Sequence, residues 1–196
     1  MVWNNKVSDN EKYSVGVNYG QTRYTDGTSG VVASSKATMD GYNPFVQVQY
    51  FNWAFNGEYF TTSIKDPTVT TGTRKPTGYN ATVTYKINDN WEGVARYTSL
   101  NTDGRGQQIS DGVRDYSSTN GIGTTYNKSN AYYIGANYYF TLSALGSASY
   151  GHNAKIQLGY EKAQFKGGAY NVGSADTNAS QKADVNSLRL QAQVGF

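Results

Sequence analysis

The stretch Tyr79–Tyr97, YNATVTYKINDNWEGVARY, reads as two alternating runs about a polar turn. Tyr79, Ala81, Val83, Tyr85 and Ile87 share one parity, and Asn80, Thr82, Thr84 and Lys86 the other. After Asn88-Asp89-Asn90, the residues Trp91, Gly93, Ala95 and Tyr97 repeat the pattern against Glu92, Val94 and Arg96. Period-two alternation puts successive side chains on opposite faces of a strand, and Asn and Asp favour tight turns. The stretch is therefore a β-hairpin with one apolar and one strongly polar face.

The same pattern recurs along the chain, and helical periodicity is nearly absent. Tyr13-Val15-Val17-Tyr19, Val46-Val48-Tyr50 and Phe55-Gly57-Tyr59 precede the hairpin. Tyr132-Ile134-Ala136-Tyr138-Phe140, Ala154-Ile156-Leu158-Tyr160 and the terminal SLRLQAQVGF (Ser187–Phe196) follow it. That makes about eight strands of roughly 9–11 residues each, the length a tilted strand needs to cross a bilayer.

Composition narrows the class. Of 196 residues only 37% are hydrophobic and 16% charged, yet there are 18 Tyr and 22 Gly. A chain with few charges and many aromatics is not of the disordered type. It suits strands that each bury one face and wet the other. No cysteine is present, so disulfides and thiolate chemistry are absent. The net charge of +3 is spread without a basic stripe, which argues against nucleic acid as a partner. Met1–Lys6 holds no apolar segment of the kind a secretory signal requires. Export would then mean that a signal has already been removed.

The connections alternate in length. Asn52-Trp53 and Asn88-Asp89-Asn90 are tight, and Leu142–Gly151 is moderate. Thr25–Gly41, Lys65–Thr77, Thr102–Asn130 and Lys166–Asp184 are long, polar and rich in Gly, Ser and Thr. Short turns at one end and long loops at the other mark an outer-membrane barrel. With eight strands, both chain ends fall at the short-turn end. Aromatics then gather in two bands, where amphipathic rings prefer the headgroup level. Tyr50, Trp53, Phe55, Trp91, Tyr138, Phe140 and Phe196 lie near the turns, and Tyr59, Tyr79, Tyr97, Tyr132 and Tyr160 near the loops. The expected fold is all-β: a single domain over 1–196, a transmembrane antiparallel up-and-down β-barrel of about eight strands. Short turns would face the periplasm and long loops the exterior of a bacterial outer membrane. The competing fold is a soluble barrel or sandwich with the apolar parity inside.

Two motifs add a resemblance. The terminal strand resembles the C-terminal signal of bacterial outer-membrane barrels, alternating apolar residues that end in Phe. This implies that Phe196 is read by the barrel assembly machinery. NDNWEGVARYTSLNTDG (Asn88–Gly104), AYYIGANYYF (Ala131–Phe140) and ADVNSLRLQAQVGF (Ala183–Phe196) resemble the last strands of the phosphate-selective porin family. Members of that family are sixteen-stranded trimers with lumenal Arg and Lys that attract anions. The resemblance spans the C-terminal 110–120 residues or so and implies a porin-like channel for small solutes, anions among them. It does not locate the family's constriction residues in this chain.

By parity the lumen receives Lys12, Lys86, Arg96, Lys155 and Arg189, opposed by Glu58, Glu92 and Glu161. These residues could line a weakly anion-preferring pore. They could equally form a paired plug, because eight strands enclose only enough space for side chains. The plugged alternative is a poreless barrel acting as an anchor or adhesin through its loops. A channel needs more width, from further strands or from chains pairing as a homo-oligomer. No catalytic residue, metal site or cofactor is expected. His152, the single histidine, reads as a solvated turn residue. Asp103, Asp111 and Asp115 read as solvated loop carboxylates, the first two in the turn dipeptides Asp103-Gly104 and Asp111-Gly112, not as a compact calcium loop.

Overall fold

In the computed structural model, residues 1–25, 36–65, 73–104, 126–140, 154–168 and 182–194 are described. Among them there is no helix. Ten strands form one antiparallel sheet. They are β1 (Val2–Ser8), β2 (Glu11–Thr25), β3 (Lys36–Tyr50), β4 (Trp53–Lys65), β5 (Thr73–Arg74), β6 (Thr77–Lys86), β7 (Trp91–Asn101), β8 (Tyr126–Phe140), β9 (Ala154–Gly168) and β10 (Lys182–Val194). Spatial order follows chain order from β1 to β10, except that the two-residue β5 pairs only with β4. A meander of this kind has the up-and-down connectivity read from the alternating runs.

Tight turns fix the register. Tyr50 lies opposite Trp53, leaving Phe51-Asn52 as a two-residue turn with φ of 51° at Phe51. Positive φ at the first central residue gives a turn whose twist matches that of the strands. Between β6 and β7, Asn88 Oδ1 accepts from the backbone N–H groups of Asn90 and Trp91, each at 2.9 Å. Neighbouring turns are tied by backbone bonds from Phe51 N to Asn10 O, Lys86 N to Asn52 O and Tyr139 N to Asn90 O, all 2.8 Å.

The two faces of the sheet differ in exposure. On β8, Tyr133 and Asn137 are 6% and 4% exposed, whereas Tyr132 and Ile134 are 53% and 66% exposed. A flat single layer would expose both faces alike. The sheet therefore curls with its polar parity on the concave side. Val15, Val17, Val46, Val83, Ile134, Leu158 and Leu188 lie on the exposed convex side. No large side chain is fully buried among the described residues, so the fold has no conventional apolar core. Rings cap the apolar belt at both ends. Trp53–Tyr85 and Trp91–Tyr138 pack as tilted pairs with centroids 4.5 and 4.9 Å apart near the turns. Tyr19–Tyr42 and Tyr97–Tyr132 do so at 5.0 and 4.8 Å near the loops.

Three expectations change. The strand count is ten, not about eight, because β1 and β5 join the sheet. Exposed and weakly patterned, β1 is held by pairing with β2 from Val2↔Gly16 to Ser8↔Glu11. The N-terminus is consequently not at the turn end, since the Met1 amine donates to Val17 O at 2.8 Å, partway along β2. The sheet is also not closed into a barrel, and β1 and β10 are its two edges. Within the aromatic bands, Phe55 sits one step inside the belt, opposite Val48 and Val83.

Candidate functional site

Strand pairing builds the concave face in rows. One row crosses nine strands through Asn4, Ser14, Gln47, Asn56, Thr82, Arg96, Tyr133, Glu161 and Ser187, all polar. The next row joins Lys12 to Gln49, Thr84, Gly159 and Arg189. All eight residues assigned to a lumen from the sequence take this face.

The register brings some of them together. Arg96 Nη2 and Arg189 Nη2 donate to the two separate oxygens of Glu161, at 3.2 and 2.6 Å. Glu161 retains 12% side-chain exposure, while both arginines are more open. One carboxylate between two guanidiniums leaves a local excess of positive charge. Beside it, the Arg96 guanidinium lies 5.1 Å from the centre of the Tyr133 ring, a favourable cation–π placement. Gln157 Nε2 donates to the Tyr133 hydroxyl at 3.1 Å. The ring has room because Gly135 and Gly159 lie beneath it: a Cβ on Gly135 would stand 2.5 Å from the Tyr133 oxygen, and one on Gly159 would be closer still.

Glu92 forms a second cluster nearer the turns. Its Oε1 accepts from Asn137 Nδ2 at 2.7 Å and from the Tyr139 hydroxyl at 3.0 Å. Lys86 faces the same side, but its ammonium pairs with Asp89 at 2.9 Å in the turn, so its charge is partly balanced outside the face. Lys12, Glu58 and Lys155 stand apart from these clusters. Lys12 lies opposite Lys6 and Gln49, Glu58 opposite Phe45 and Asn80, and Lys155 opposite Tyr139 and Gln193. A concavity of about 590 Å³ lies over Lys12, Ser14, Gln47, Gln49, Asn56 and Thr84. Asn56 Oδ1 and Asn137 Oδ1 are buried acceptors with no donor among the described residues.

Tyr133, Tyr139, Asn137 and Gln157 belong to the site and were not singled out from sequence. For Tyr133, Asn137 and Gln157 the signal is an aromatic or amide on the polar parity two residues from Gly135 or Gly159, and Tyr139 shares only that parity. Asp103 is a turn residue with φ of 50°, its carboxylate accepting from Lys75 N at 2.6 Å. Phe196, His152, Asp111 and Asp115 lie outside the described residues. Among the described residues no group of three His, Cys, Asp or Glu side chains is placed to hold a metal ion. Compared with family models, curated proteins and solved structures, the chain has no match in any of the three.

Proposed function

We propose that the protein is part of a porin-like channel in a bacterial outer membrane, admitting small solutes by passive diffusion with a preference for anions. The observation that carries this reading is the inverted burial: aliphatic residues on the convex face and polar residues on the concave one. An exposed apolar belt of that extent marks a surface made for a partner or a membrane. Aromatic rims at both of its ends favour the membrane. Buried acceptors such as Asn56 Oδ1 suit a hydrated interior, since buried polar atoms otherwise find partners within the protein. The resemblance to phosphate-selective porins and the two arginines about Glu161 favour anions.

The edges favour a wide pore. In lipid every strand edge must be paired. Both β1 and β10 run toward the turn end, so direct closure between them would be parallel. The same holds between two copies inserted in the same sense. An antiparallel seam requires an odd number of further strands, and each added strand widens the bore beyond the size that side chains fill.

The second reading, a poreless anchor or adhesin, draws on the Arg96–Glu161–Arg189 cluster, which resembles the paired interior of a plugged barrel. Conductance separates the two. Detergent-refolded protein, with the strands that complete its seam present, should give stable steps of anion-selective reversal potential in a planar bilayer under a salt gradient. A folded, heat-modifiable species that never conducts would sink the channel reading in favour of the anchor.

A further inference from the structure

The convex face changes chemistry toward the loop end of β8–β10. On β8 it passes from Ile134 through Tyr132 to Lys128, and on β9 from Leu158 through Tyr160 to Lys162 and Lys166. On β10 it passes from Leu188 to Lys182. The register sets Lys128, Lys166 and Lys182 directly opposite one another in a single row, each exposed. Lys162 stands lower, opposite Tyr132.

Directly opposite residues are about 4.5–5.5 Å apart at Cα, and like charges in that position repel. Among the described residues, no carboxylate pairs with any of these four ammonium groups. Asp184, opposite Gln164, is the acidic residue sharing the patch, and it leaves a surplus of three positive charges. Among the described residues near the turns the convex face carries no comparable group: Lys6, Lys12, Lys86 and Lys155 take the concave parity.

We infer that the convex face of β8–β10 is a binding site for the phosphate groups of an anionic lipid in the leaflet at the loop end. This rests on the membrane reading above. Charge complementarity selects an anion able to span several lysines, and height selects a lipid. Lys128 is four residues beyond Tyr132 along β8, roughly 13 Å of strand and about 10 Å along the membrane normal at the usual tilt. Lysine stems lie along apolar surface and deliver the ammonium to the headgroup layer. A row facing sideways above an aromatic rim meets headgroups before it meets soluble ions.

The test refolds the protein, together with the strands that complete its seam, into zwitterionic vesicles doped with a bisphosphorylated acylated glucosamine disaccharide or with its dephosphorylated form. Insertion is read first, in undoped vesicles, by heat-modifiable migration. Retained glycolipid is then counted by native mass spectrometry. The expected result is a preference on the order of tenfold for the phosphorylated lipid, from a few lysines acting near a surface. It should vanish in Lys128→Gln/Lys166→Gln/Lys182→Gln, fall in the single Lys166→Gln, and persist in Lys6→Gln. An inserted protein that holds both lipids equally, or a triple variant that keeps its preference, overturns the site. Displacement of the lipid by millimolar inorganic phosphate overturns the assignment to lipid. Failure to insert into undoped vesicles overturns the membrane reading itself, and the inference with it.

Discussion

The Tyr133 hydroxyl occupies the space that a Cβ on Gly159 would need, with the ring carried across from the neighbouring strand. Glycine on a strand is otherwise a weakness, and an aromatic ring laid over it restores buried contact. The same ring presents its face to Arg96 and its oxygen to Gln157. One side chain thus links β7, β8 and β9 on the concave face.

Gly159→Ala should therefore displace Tyr133 and cost about 1–3 kcal/mol, as overpacking does. Gly93→Ala is the comparison, because nothing lies within 4 Å of its would-be Cβ. Its effect should stay within about 0.5 kcal/mol. Urea unfolding from vesicles measures both, and equal midpoints for the two variants would mean the ring moves aside freely.

Ile134 tests which face meets lipid. It lies between the two aromatic rims, two residues from Tyr132 and four from Tyr138, and is among the most exposed apolar residues of the sheet. On a water-facing surface Ile134→Arg should change stability by less than about 0.5 kcal/mol. Facing the bilayer midplane, it should cost about 2–4 kcal/mol. The second outcome is expected, read as a lowered urea midpoint in vesicles.

Removing the charge of Glu161 should leave Arg96 and Arg189 unopposed. Glu161→Gln is expected to strengthen anion preference in reversal-potential measurements and to cost about 1–3 kcal/mol from the lost charged acceptor. Arg189→Gln should shift selectivity the other way. Identical reversal potentials in all three proteins would show that ions do not pass this cluster.

The rim pair Trp53–Tyr85, at 4.5 Å between centroids, should show its own coupling. A double-mutant cycle through Trp53→Ala and Tyr85→Ala is expected to return about 0.5–1.5 kcal/mol. A value near zero would mean that each ring interacts with lipid alone.

The strand pattern and the common face of Lys12, Glu58, Lys86, Glu92, Arg96, Lys155, Glu161 and Arg189 were legible in the sequence, because both depend only on parity. The strand ends were not. β2 runs on through Gln21, Thr22 and Arg23, where hydrogen bonding continues after the apolar alternation has stopped. β1 escaped for the same reason: VWNNKVS buries nothing, and its pairing is a matter of backbone bonds. Contacts between strands were also hidden. Arg96 and Glu161 are 65 residues apart, and only the register of two successive hairpins makes them neighbours. Lys86 takes the polar parity, but its partner Asp89 belongs to the turn, where parity says nothing.

The backbone ties between adjacent turns have a mechanical consequence. Phe51 to Asn10, Lys86 to Asn52 and Tyr139 to Asn90 act as a hoop along one rim, each tie possible in a single alignment of its strands. Sliding β2, β3, β4, β6, β7 or β8 by two residues would break a tie, so the stagger among these strands is clamped at that rim. Stagger and strand number together set the circumference of any tube the sheet enters. Changes at the opposite rim can then alter what the protein touches without altering its calibre.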